Sequence, residues 1–243
     1  TGGGDIRIGG GFGGKNAEIT NAQQVNVAAG AQISASALAS GSGGTIAVWS
    51  DGDTSFAGDL SARGFEAGGL AEVSGLENLE FIGNVALGSE SGQLGSLLLD
   101  PSDFTIDAAN VGSITMALAT ANVTVTTDGG GMGNGDIFVN EAINVIGTGT
   151  LSLLAHRHIE VNRSIQLDGT GSVNLIAGWD GMTGFATTPT PGIETPATVP
   201  DLTQFPATAN SYGNGGGSVN INAVPMYSVA VGSRSGTTTV LGS

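Results

Sequence analysis

The chain has 243 residues, of which 43 are glycine and only 11% are charged, against about 7% glycine and about 25% charged residues in an average soluble protein. Its net charge is −15 with Lys15 as its single lysine, so a phosphate backbone or an anionic lipid surface would repel it, and nucleic acid is excluded as a partner. Cysteine is absent, which excludes disulfide stapling and thiol catalysis, and no run of 18 apolar residues offers a membrane-spanning helix.

Many Val, Ile and Leu residues stand between the glycines, the opposite of a disordered composition, and predict a folded chain made mostly of strands. No signal peptide is visible and the chain opens on Thr1, which reads as a segment of something longer. In chain order, DIRI (5–8) is the first alternating stretch. It runs into GGGFGGKN (9–16), one residue short of a phosphate-binding loop. Such a loop needs Ser or Thr after its Gly-Lys to hold Mg²⁺, and it must open a helix. Asn16 stands at that place, and NAEITNAQQVNVAAG after Lys15 alternates like a strand. The stretch therefore reads as a glycine-rich turn.

Further alternating segments follow at QVNV (24–27), AQISAS (31–36), TIAVWS (45–50), EVSG (72–75) and SLLLD (96–100). SITMALATA (113–121) has the composition of a short helix and reads as a lateral decoration; TVTT (124–127) returns to strand. Two acidic pairs fall in this half. Asp100 and Asp103 in LLLDPSD invite comparison with the paired carboxylates of glycoside hydrolases, but Asp-Pro is also an ordinary turn signal. Asp51 and Asp53 in SDGDTS read the same way.

Residues 135–156 and 157–178 align without a gap, and nine of twenty-two positions are identical. Ile137 falls on Ile159, Val139 on Val161, Asn140 on Asn162, Ile143 on Ile165 and Leu153 on Leu175. Each unit holds three short alternating groups separated by Asn or Gly, which is a closed coil of three sides. Repetition at a fixed period marks a solenoid. The pattern predicts an all-β fold: a right-handed parallel β-helix, three-sided, with about 22 residues per coil and nine or ten coils at that period, about 45 Å long. Ile137, Val139, Ile143, Leu153, Ile159, Val161, Ile165 and Leu175 form its core ladder. Asn140 and Asn162 form an amide ladder at a turn.

His156 and His158 lie at i and i+2 with Glu160 beyond, a trio that suits zinc if all three share one side of a strand; the plainer reading is outward polar residues, since His158 takes the place of Asp136 in the repeat. GGGMGNGDIFV (129–139) has the look of one unit of a calcium-binding glycine-aspartate repeat, but one unit cannot share ions with a neighbour. No metal and no cofactor is assigned. Residues 179–216 hold five of the seven prolines and break the coil pattern. They read as one long loop inserted between coils 1–178 and a resumption at 217–243, where SVNINA (218–223) and SVAV (228–231) return to strand. Trp179, Phe185, Phe205 and Tyr212 make this excursion the candidate recognition loop, because aromatic side chains give large contact area at little entropic cost.

With GGTIAVWSDGDTSFAGDLSARG (43–64), LAEVSG (70–75) and LGSLLLDPSDFTI (94–106), the order of phrases resembles the filamentous-haemagglutinin-like large exoproteins of two-partner secretion. Trp49, Asp51, Phe56, Gly58, Ala62, Arg63, Gly64, Glu72, Val73, Ser74, Gly75, Asp100 and Pro101 carry the resemblance, which covers residues 3–178 and, more weakly, 217–243. The family's N-terminal secretion domain and its Asn-Pro-Asn-type motifs have no counterpart, and no C-terminal toxin or enzyme module is visible. The resemblance implies the β-helical shaft of a secreted bacterial cell-surface adhesin, exported through an outer-membrane barrel. Its expected partners are copies of itself or flanking β-helix stacked end to end, and a glycan or surface receptor on another cell. It implies no catalytic residue; the alternative is a solenoid enzyme acting on polysaccharide.

Overall fold

A computed structural model describes residues 1–127, 130–179, 217–221 and 231–241. The chain is a parallel β-solenoid. Strands β1 (Asp5–Ile8), β2 (Ala22–Val27) and β3 (Gln32–Ser34) make the first coil. β4 (Thr45–Phe56) is long enough to turn a corner and serve two sides, and β5 (Asp59–Ser61) makes the third. Next come β6 (Leu70–Gly75), β7 (Asn78–Phe81) and β8 (Asn84–Ala86). β9 (Gly95–Leu99) and β10 (Phe104–Ile106) are followed by a helix, α1 (Val111–Leu118). Then β11 (Ala121–Thr127), β12 (Ile137–Val139) and β13 (Ile143–Val145) precede β14 (Leu151–Ala155), β15 (Ile159–Val161) and β16 (Ile165–Leu167). Beyond β17 (Val173–Ala177) the described chain resumes with β18 (Val219–Ile221), β19 (Val231–Ser233) and β20 (Thr238–Leu241).

One side of the solenoid is an uninterrupted parallel stack, β1-β4-β6-β9-β11-β14-β17-β20. Its inward residues are Ile46 and Val48, Ala71 and Val73, Leu97 and Leu99, Val123 and Val125, and Leu151 and Leu153, each at most 1% exposed. The second side stacks β10-β12-β15-β18, and the third β13-β16-β19 above and β3-β5-β8 below. Phe56 and Phe81 lie in register on neighbouring coils and stack with centroids 5.8 Å apart.

Two expectations are corrected. A 22-residue coil occurs between β14 and β17, where Leu151 pairs with Val173, but Thr45 pairs with Leu70, Leu70 with Ser96, Ser96 with Asn122 and Val123 with Leu151. Those steps are 25, 26, 26 and 28 residues, because the corners differ in length while the strands keep register. Fewer coils therefore fit than the nine or ten that a 22-residue period gives: the eight strands stacked from β1 to β20 span about 34 Å at about 4.8 Å per step. The helix, too, is no lateral decoration. α1 packs on β8, β11 and β13 and takes the place of a third-side strand, with Ile114, Ala117 and Leu118 fully buried in the common core.

Glycine is required where the third side turns into the first. A Cβ on Gly44 would lie 1.9 Å from the Gly4 carbonyl oxygen, on Gly69 2.3 Å from that of Gly44, and on Gly95 2.2 Å from that of Gly69. Those same oxygens accept the N–H of Thr45, Leu70 and Ser96 from the coil above. At this corner the backbones approach too closely for any side chain. Gly69→Ala should destabilise the solenoid by about 1–3 kcal/mol, the usual cost of overpacking. Gly4→Ala, where a Cβ meets nothing within 4 Å, should shift stability by less than about 0.5 kcal/mol. Thermal unfolding of the two variants side by side checks this; equal losses would contradict the close-approach account.

Candidate functional site

The polar chemistry concentrates along the corner that leads into the second side. Asp103, Asp136, His158 and Ser218 each precede a strand of the β10-β12-β15-β18 sheet. The register Phe104 to Ile137 to Ile159 to Val219 stacks them in one column. The first three side chains each accept the backbone N–H of the residue one coil above. Asp103 Oδ1 accepts from Asp136 N at 2.8 Å, Asp136 Oδ1 from His158 N at 3.1 Å, and His158 Nδ1 from Ser218 N at 3.2 Å. Asp136 carries more: Arg157 Nε donates to its Oδ1 at 2.8 Å and Arg157 Nη2 to its Oδ2, in a bidentate pair. Asp136 is 5% exposed. Burial by itself would raise its carboxyl, but the Arg157 fork, the His158 N–H and the positive charge nearby outweigh it and hold it below the ordinary carboxylate value of 3.8.

The glycine-rich segment before β12 folds back onto the coil beneath. Met132 N donates to Glu77 Oε2 at 2.9 Å, Gly133 N to Ser102 Oγ at 3.2 Å and Asn134 N to Asp103 Oδ2 at 3.2 Å. Asp103 thus spends both oxygens on backbone N–H groups. Asp100 is held otherwise, accepting from Thr126 Oγ1 at 2.7 Å while its own N donates to Ser74 Oγ at 3.1 Å. The four acids singled out from the sequence all have such placements: Asp51 Oδ1 accepts from Trp49 Nε1 at 3.0 Å and Asn21 Nδ2 at 2.9 Å, and Asp53 Oδ1 from Asn78 Nδ2 at 2.7 Å.

GGGFGGKN is a strap. Residues 9–21 leave the coil after β1, and Ala22 N closes the excursion on the Gly9 carbonyl at 2.6 Å. Phe12–Gly14 form a short 3₁₀ turn with no helix after it, so the segment lacks the helix N-terminus a phosphate loop requires. Trp49 points outward beneath it, 4% exposed, and Gly13 N donates to the carboxylate of fully buried Glu72 at 2.8 Å. Lys15 is exposed.

His156 and His158 do not share a strand face as a zinc trio would need. Both lie in the turn before β15 and serve different neighbours, His156 Nδ1 meeting the Trp179 carbonyl at 3.2 Å and His158 Nδ1 meeting Ser218. Glu160 accepts from Asn220 Nδ2. Among the described residues no three His, Cys, Asp or Glu side chains are gathered as metal ligands. Ile137, Val139, Ile143, Leu153, Ile159, Val161, Ile165 and Leu175 are fully buried, each over its counterpart in the next coil. Asn162 Nδ2 donates to Asn140 Oδ1 at 2.7 Å. Trp179 is 2% exposed and its N donates to Ala155 O at 2.8 Å, so its ring is buried rather than presented for recognition. Phe185, Phe205 and Tyr212 lie outside the described residues, as do 180–216 of the expected loop. Sequence reasoning missed the acceptor column, although the alignment of His158 on Asp136 was its visible trace. No protein-family model matches the chain, and no curated protein does.

Because the Asp136 carboxyl is held low, its contribution to stability is complete above its unfolded value and is lost as pH falls through its folded one. Asp136→Asn should therefore cost about 2 kcal/mol at pH 7, the scale of a charged hydrogen-bonded pair, and the gap from the parent should narrow at a pH well below the ordinary carboxylate value of 3.8, as the folded carboxyl takes up its proton. Urea unfolding at the two pH values checks it; a gap that does not change with pH would refute the assignment.

Proposed function

We propose that the chain is a shaft segment of a secreted, bacterial cell-surface exoprotein of the filamentous-haemagglutinin-like kind. It acts as a rigid spacer that carries binding elements away from the cell and joins end to end with further β-helix. The observation that carries this reading is the unbroken parallel sheet from β1 to β20, in which every coil is bonded to the next in register. Such a rod transmits length and stiffness, and its natural direction of growth is along the axis.

The end coils support the same reading. At one end Ile6, Ile8, Val25 and Ile33 are only partly buried, and at the other Val219 and Val231, all packed on the common core. A further parallel coil, from flanking chain or a second copy, would cover those residues and pair the outer strand edges. The order of phrases at 43–64, 70–75 and 94–106 supports this reading by its resemblance to such exoproteins, and with it the proposal of export through an outer-membrane barrel and adhesion to a glycan or receptor on another cell.

Electron microscopy of the protein purified from its native source tests the reading. Rods longer than one solenoid of this chain are expected, and compact particles no longer than that would overturn it. Release of new reducing ends or unsaturated sugars from purified cell-surface polysaccharides would overturn it in favour of a solenoid enzyme.

A further inference from the structure

We propose that His158 is a pH-sensitive catch that fastens the last coil to the solenoid. The corner column has three acceptors facing upward, and they differ in what a proton does to them. Asp103 and Asp136 are carboxylates, and acceptors of that type persist throughout the neutral and mildly acidic range. His158 accepts through Nδ1, and imidazole is the one side chain type whose ordinary titration falls between pH 5 and 8.

The partners define the tautomers. A backbone N–H can only donate, so the 3.2 Å contact from Ser218 N requires a lone pair on His158 Nδ1 and puts the proton on Nε2. A carbonyl can only accept, so the 3.2 Å contact with the Trp179 oxygen requires that His156 Nδ1 carry its proton. The two histidines, two residues apart, thus hold opposite tautomers. Protonating His156 leaves its bond to Trp179 intact. Protonating His158 puts a hydrogen where the Ser218 N–H points, and the acceptor is lost. Its Nδ1 can then turn to Ser218 Oγ, 3.0 Å away, but the Ser218 N–H keeps no place at the ring.

The surroundings make the catch matter. Ser218 is where the chain re-enters the described stack, and besides the pairing of β18 on β15 its contacts with the coil below include the Ile159 N–H to Ser218 O bond at 2.9 Å, the His158 contact and the Asn220 to Glu160 contact. The charged groups beside His158 are the Asp136 carboxylate, which accepts its backbone N–H, the Arg157 guanidinium bound to that carboxylate, and Glu160 on the strand that follows, which accepts from Asn220. Above it lie Ser218 and, on β18, Asn220, both neutral.

The test is amide hydrogen exchange across β18 at pH 7.5 and pH 5.5, expressed as protection relative to the intrinsic rate. In the parent chain, protection at Ser218–Ile221 should fall about three- to tenfold at pH 5.5, the scale of one hydrogen bond lost, while β15 and β17 keep theirs. In His158→Asn, whose amide oxygen accepts a hydrogen bond but does not titrate, the β18 change should vanish. An equal loss in His158→Asn, or constant protection in the parent, overturns the proposal. Imidazole ¹⁵N shifts at pH 7.5 give a second reading that needs no variant: His158 must show an unprotonated Nδ1 and His156 a protonated one. The same tautomer at both refutes the catch.

Discussion

Everything in this molecule answers to one constraint: each coil hydrogen-bonds, parallel and in register, to the coil about 4.8 Å away. Every side chain therefore has its structural counterpart as its nearest neighbour, above and below. Ile over Ile and Val over Val satisfy that demand with shape alone on the second and third sides, and the inward rows of the first side stack apolar on apolar, as Ile46, Ala71, Leu97, Val123 and Leu151 do. A charge over a like charge does not. In the lower coils each carboxylate of the second and third sides is set against an amide or hydroxyl: Asp53 between Gln24 and Asn78, Asp59 between Gln32 and Asn84, Glu80 over Ser55. The low charge content of the sequence follows from this stacking rule. The exception is Asp103 beneath Asp136, where Arg157 binds one carboxylate and also feels the other.

The same rule explains where length varies. Strands cannot gain or lose a residue without turning a whole row inside out, so insertions fall at corners or outside the coil. The strap 9–21 is the largest of these among the described residues, and it lies across the outer face rather than in the wall. Its contacts with Trp49 and Glu72 bury an aromatic ring and a carboxylate that would otherwise face water on a sheet exterior. α1 is a different solution, a helix used as a wall. Eight residues replace a three-residue strand by presenting Ile114, Ala117 and Leu118 to the core, while Thr120 Oγ1 reaches the Val85 carbonyl of the coil below at 3.5 Å.

How much of this was legible in the sequence depends on where period and fold coincide. Residues 135–178 hold two coils without insertions, and their alignment predicts the pairs Ile137–Ile159, Val139–Val161, Ile143–Ile165 and Leu153–Leu175 that the sheets contain. From β4 to β14 on the first side the corners stretch the period to between 25 and 28 residues, and self-similarity at a fixed offset fades although the strands still stack. The helix could be read from its composition but not its location, because an apolar stripe on eight residues does not say which core it enters. The column at the second-side corner was hidden for another reason. What repeats there is the ability to accept a hydrogen bond, supplied by carboxylate, carboxylate and imidazole, and an alignment by residue identity scores Asp136 against His158 as a mismatch.

That column also gives the solenoid a direction. Along the sheets, each coil both gives and receives backbone hydrogen bonds, so neither end is chemically distinguished. At the corner the lower coil always supplies the side-chain acceptor and the upper coil the N–H, three times in succession from Asp103 to Ser218. A coil is thus fastened by the one beneath it, and an acceptor can be changed without altering any strand above. The sheets tolerate this because the N–H in question belongs to the residue before each strand, where the wall turns and side chains have room to reach. Carboxylates fill the lower two positions, where the column also latches the glycine-rich segment and pairs with Arg157. The imidazole stands at the top, under the strand that brings the chain back into the stack. The sheet register would accept any hydrogen-bond acceptor at that position, because the strands of the coil above are paired to those below independently of it.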